Sequence, residues 1–68
     1  MLENNYTVVK DTVAVEGVEY TTYGIRCNDE VIRDISTDSD FVNELARVLN
    51  DNNVSDIHFH DIVEDFLN

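Results

Sequence analysis

Across residues 6–15 and 18–27 the apolar side chains fall on alternate positions, whereas from Phe41 onward they recur every three or four. A period of two marks strands with one buried face, and a period near 3.6 marks amphipathic helices. In the first stretch, rich in β-branched residues, Val9, Val13 and Val15 share one parity, the two-residue period of a half-buried strand. Lys10-Asp11 is the point where that strand is open to interruption. Glu16-Gly17-Val18 supplies the glycine that a tight reversal requires. The next stretch resumes the alternation with Tyr23, Ile25 and Cys27 on one face. Asn28-Asp29-Glu30 is a second polar break of hairpin length, and residues 31–35 read as a short third strand. The adjacent Val31 and Ile32 fit either register, so Ile32 has two readings, core face or outer face. Arg33 and Asp34 supply the only visible protection of the last strand's edge. Residues 1–5 show no periodicity and read as a frayed leader.

Ser36-Thr37-Asp38-Ser39-Asp40 then opens a helix, with Thr37 as N-cap and Asp40 three residues later in the manner of a capping box. The aspartates also set negative charge at the positive end of the helix dipole. Phe41, Val42, Leu45, Ala46, Val48 and Leu49 occupy one arc, opposite Asp40, Asn43, Glu44, Arg47, Asn50 and Asp51, which predicts a helix over 38–51. Asn52-Asn53-Val54 is too short for more than a tight connection, so the second helix folds back beside the first. Ser55 is its natural N-cap and Asp56 its first-turn acid. Phe59, Ile62, Val63, Phe66 and Leu67 fall on the core side, with Asp61, Glu64 and Asp65 opposite. The expected fold is a single α+β domain over residues 1–68, a three-stranded antiparallel β-meander followed by two α-helices packed on one face.

Charge narrows the choice of partner. Fifteen Asp and Glu against four Lys and Arg give a net charge of −11, which opposes binding to phosphate backbones and anionic membrane surfaces. Nucleic acid and membrane are therefore excluded as expected partners, and a basic protein surface is favoured. The lone Cys27 rules out an intramolecular disulfide framework and, lacking an electropositive neighbourhood in sequence, reads as a packing residue. No positively charged start leads into an apolar run, and no stretch approaches the roughly 20 apolar residues of a membrane span, so a reducing cytoplasm is the expected location.

The densest polar chemistry is His58-x-His60 followed by Asp61, Glu64 and Asp65. Metal-chelating pairs on helices sit three or four residues apart, whereas His58 and His60 point about 200° apart on a helix. His60 with Glu64 and His58 with Asp61 have neighbour spacing, yet two ligands need a third from another segment. Residues 34–40 place oxygen side chains at the first, third, fifth and seventh positions of a calcium loop, but Ser39 stands where glycine is needed and Leu45 where the bidentate glutamate belongs. With only Gly17 and Gly24 the chain has no glycine-rich phosphate loop, and nothing sets Ser55 or Cys27 beside a base held by a third group. No catalytic or cofactor-binding residue is assigned, and the expected protein is not an enzyme. The anomaly is Glu64-Asp65 near the end of the second helix, where negative charge opposes the dipole at a cost of about 0.3–1 kcal/mol each. Either Lys10, Arg26 or Arg33 folds over to pair with them, or the broken rule marks a functional surface.

Tyr23-Gly24-Ile25, Asp34-Ile35-Ser36-Thr37-Asp38, Leu49-Asn50, His58 and residues 61–67 together resemble a family of small uncharacterised proteins from clostridial and related Firmicute bacteria that ends in a similar VEDFL tail. The resemblance covers residues 20–68 and implies a cytoplasmic bacterial protein, with no activity, cofactor or ligand to carry over. Asn28-Asp29-Glu30 is short against that pattern, and Asp56 stands where a proline often follows the capping serine. The functional expectation is a non-enzymatic protein-interaction module that offers Asp61, Glu64 and Asp65, bordered by His58 and His60, to a basic protein. A homodimer through the open sheet face or edge is a variant of it. The expectation from another class is a small metal- or ligand-binding regulator built on His58 and His60.

Overall fold

The structure is a computed structural model that describes residues 5–67, so all but Asn5 of the expected leader lies outside the described residues. Strands β1 (Tyr6–Val15), β2 (Val18–Cys27) and β3 (Glu30–Ser36) form one antiparallel sheet in that order. Helix α1 (Ser39–Asp51), a 3₁₀ turn (Asp56–His58) and helix α2 (Phe59–Leu67) follow. The α+β meander-then-helices architecture is the one the periodicity predicts.

Both hairpin turns use backbone that bends where the side chains allow it. Glu16 and Gly17 take φ of 52° and 81°, the left-handed pair of a two-residue turn whose twist matches the strands it joins. The β1–β2 ladder then runs without a break from Val15↔Val18 to Tyr6↔Cys27, through Lys10↔Tyr23 and Asp11↔Thr22. The β2–β3 ladder holds its register at Cys27↔Glu30, Arg26↔Val31 and Ile25↔Ile32, then shifts before Tyr23↔Ser36. Asp34, at φ 55°, sits in that bulge. Gly24 lies opposite it: a Cβ at Gly24 would stand 2.2 Å from the Ile32 carbonyl oxygen and 2.9 Å from the Arg33 Cα. Only glycine lets β3 come this close to β2.

Register settles the faces. Residues paired across a ladder share a face, so Tyr6, Val8, Ile25, Cys27 and Ile32 lie together, and all of them belong to or pack against the buried core. Ile32 is thus on the core side and Val31 on the outer one. The alternation in β1 puts Val9, Val13 and Val15 on the outer face, because Tyr6 and Val8 hold the core side.

Helix α1 lies against all three strands and buries Val42, Leu45, Ala46 and Leu49. Its N-cap is Asp38 and not Thr37: the Asp38 carboxylate accepts from the backbone N–H of Asp40 and Phe41, while the Asp38 N–H donates to Ser36 Oγ. The helix ends in a Schellman arrangement, in which Val54 N–H donates to Leu49 O and Asn53 N–H to Asn50 O, with Asn53 left-handed at φ 48°. That motif turns the chain back so that α2 packs beside α1. Phe59, fully buried, meets the Tyr6 ring edge-on at 5.0 Å and anchors α2 to the open end of β1.

Beyond Tyr23↔Ser36 no β3 residue accompanies the first two strands, so residues 12–21 continue as a two-stranded ribbon. None of them is buried, and the molecule is correspondingly long, 45 × 24 × 18 Å.

Candidate functional site

The C-terminal segment is placed by local capping. Ser55 is the N-cap, as its hydroxyl accepts from the Ile57 N–H, but the first turn it caps is 3₁₀ and the α-helix proper begins at Phe59. The tighter turn sets His58 at its last position and His60 in the first turn of α2, both exposed. Phe59 between them points into the core, so the two imidazoles do not converge. His60 Nε2 lies 3.0 Å from Glu30 Oε2, which ties α2 to the start of β3 across an exposed surface. These are two ligand atoms at most for a metal. Among the described residues no group of three or more His, Cys, Asp or Glu side chains is arranged to hold an ion.

Asp61, Glu64 and Asp65 are all exposed, and none forms an ion pair with another described residue. The cations expected to reach them are elsewhere. Arg33 donates from Nη1 to both carboxylate oxygens of Asp11, at 3.0 and 2.9 Å, on the outer face of the sheet. Arg47 pairs with Glu44 and Asp51 along α1, and its guanidinium holds the Glu44 carboxyl below the usual range. Lys10 and Arg26 make no ion pair with a described residue. The dipole anomaly of α2 therefore stands without an internal counter-charge among the described residues.

The helical wheel also overstates the core of α2. Phe59 and Val63 are buried and Ile62 half-buried, but Phe66 is 38% and Leu67 52% exposed. They lie in the last turn, beside the start of α1, where the Phe66 ring leans on Phe41 with centroids 6.0 Å apart. Ile57, on the 3₁₀ turn, is 80% exposed. The segment thus presents three unpaired carboxylates beside apolar side chains that the fold leaves in water.

Two structural residues escape sequence reasoning altogether. Asn50, on the polar arc of α1, accepts from the Tyr6 N–H at 2.8 Å and donates to the Tyr6 carbonyl at 2.8 Å. Its amide thereby occupies the open edge of β1 as a neighbouring strand would. Thr22 is 2% exposed on the outer face, and its hydroxyl has no hydrogen-bond partner among the described residues. Arg33 must cross β2 to reach Asp11, Thr22's register partner, and this bridge roofs the threonine.

No helix of the described residues is long and apolar enough to cross a membrane. No curated protein and no solved structure matches the chain. A family profile does match, and over residues 1–68: the chain belongs to the Family of unknown function (DUF6514).

Proposed function

We propose that the protein is a small non-enzymatic interaction module that uses the exposed face of α2 to dock a basic protein surface. Asp61, Glu64 and Asp65 supply the charge, His58 and His60 border it, and Phe66 and Leu67 offer adjacent apolar contact. The observation that carries this reading is the lack of any described counter-charge for Glu64 and Asp65, which lie toward the unfavourable end of α2. A fold that keeps such a local cost without internal compensation has a use for it outside the domain. The lone, buried Cys27 and the absence of a disulfide requirement support a reducing compartment, and the VEDFL ending supports a cytoplasmic setting in a Firmicute bacterium.

Capture from a lysate of such a bacterium, in low and high salt, tests the reading. Binding should fall steeply as salt rises and should be lost in a Glu64→Lys, Asp65→Lys double variant. A partner retained by that variant and indifferent to salt would rule the α2 surface out.

A further inference from the structure

We propose that the open edge of β1 is a docking site for an extended segment of another protein, added antiparallel as a fourth strand. In a two-residue hairpin the pair flanking the turn exchanges both ladder hydrogen bonds, so Val15↔Val18 fixes which backbone groups of β1 face β2. Those of Thr7, Val9, Asp11, Val13 and Val15 do. The N–H and C=O of Val8, Lys10, Thr12 and Ala14 point the other way, off the sheet. No strand lies on that side of β1, and these outward groups have no hydrogen-bond partner among the described residues.

What such an edge takes is visible one rung away. At Tyr6 the Asn50 side-chain amide accepts from the N–H and donates to the C=O, both at 2.8 Å. One amide fills one rung, as the peptide groups of an added strand would fill the rest. Beyond Tyr6 the usual defences of an edge are missing. The chain has no proline, and the ten residues of β1 pair with β2 without a bulge, whereas the Asp34 bulge interrupts β3 at the opposite edge. The one charge among the four open rungs is Lys10, exposed and without an ion pair to a described residue.

Charge and register choose the occupant. Two bodies of −11 repel each other, which turns away the edge of a second copy and favours a segment that is neutral or basic overall. The residue of the added strand opposite Lys10 shares its face, so an acid at that single position meets the free cation of the edge. The residues on either side of that acid fall on the outer face, in line with half-buried Val9 and Val13, and are apolar. From Val8 to Ala14 the open edge spans roughly 20 Å. It is read mainly through its backbone, with Lys10 and the valines setting register.

Hydrogen exchange followed by NMR of the full chain tests it. The probe is the heptapeptide Lys-Val-Thr-Val-Glu-Val-Lys, capped at both ends and N-methylated at its valines, so that only one of its edges can bond. At millimolar peptide the amide protons of Val8, Lys10 and Thr12 should exchange about tenfold or more slowly, while those of Val9, Asp11 and Val13, already bonded to β2, do not change. The same peptide methylated instead at threonine and glutamate should protect nothing. Thr12→Pro removes one outward N–H and leaves the β2 ladder its bonds, so it should weaken binding with an unchanged circular dichroism spectrum. Lys10→Glu should weaken binding through charge alone. Exchange unaffected at millimolar peptide would overturn the proposal. So would equal protection by both peptides, or protection that rises with protein concentration when no peptide is present, the mark of a second copy on the edge.

Discussion

Tyr6 is the residue on which the three layers of contact meet. It pairs with Cys27 in the sheet, stacks edge-on against Phe59 of α2, donates its hydroxyl to the Val54 carbonyl at 2.6 Å, and offers its backbone to Asn50. In a two-residue hairpin the pair next to the turn exchanges both ladder hydrogen bonds, and alternation from Val15↔Val18 leaves the Tyr6 N–H and C=O pointing to the open edge. Asn50→Ala strands both groups, and urea unfolding should show a loss of about 1–3 kcal/mol. Burial, followed by the hydrogen bond with the neighbouring Cys27 thiol, raises the Tyr6 hydroxyl far above its ordinary 10.0. The folded protein therefore keeps this proton after the unfolded chain has released it. The stability that Tyr6 contributes is fully present below pH 10.0 and is lost as pH rises from there toward the higher folded-state value. In urea melts across that alkaline range, Tyr6→Phe should flatten the fall, while at neutral pH it should be less stable through loss of the Val54 bond. Neither role of Tyr6 was visible from its neighbours, because Asn50 and Val54 lie 44 and 48 positions away.

At the scale of elements, what local chemistry dictates was readable. The β1 and β2 spans follow from their alternation and from the glycine between them, and the apolar arc of α1 matches its buried residues. The errors lie where two local answers were equally good. Thr37 and Asp38 both precede a helical run, and Asp38 is the cap because its carboxylate reaches two free N–H groups. Phe66 and Leu67 continue the correct arc of α2, but at the start of α1 Phe66 meets a Phe41 that is itself only half-buried. The same helix carries Glu64 and Asp65 in its C-terminal half with no basic residue in the last turn. Asp65→Lys should stabilise the fold by about 0.3–1 kcal/mol, seen as a higher thermal midpoint. A lower midpoint would mean that this carboxylate has a partner within the domain.

For the whole molecule the governing quantity is charge. The Arg33–Asp11 and Arg47 pairs have largely exposed cations, and such pairs contribute little. Repulsion within a chain of −11 acts against the compact state and is screened by salt. Stability measured by urea unfolding at low protein concentration should therefore rise as sodium chloride is added; a fall would show that the exposed pairs outweigh the repulsion. The candidate α2 surface and the open edge of β1 are on separate elements of this charged body, one lined by carboxylates and the other carrying a lysine.

The sequence by itself determined where the chain turns, how long β1 and β2 run, which arc of α1 is apolar, and that the surface is acidic, because each depends on residues within one turn or one strand of each other. Tertiary structure alone decided which parity of β1 meets the helices, since the valines of one face and Tyr6 and Val8 of the other are both acceptable to a strand until Phe59 arrives. It also decided that Asn50 closes the Tyr6 end of an edge, that Gly24 admits a bulge, and that Asp61, Glu64 and Asp65 find no cation among the described residues. Those outcomes depend on which distant groups the packed chain brings within a few ångströms, and no local period records that.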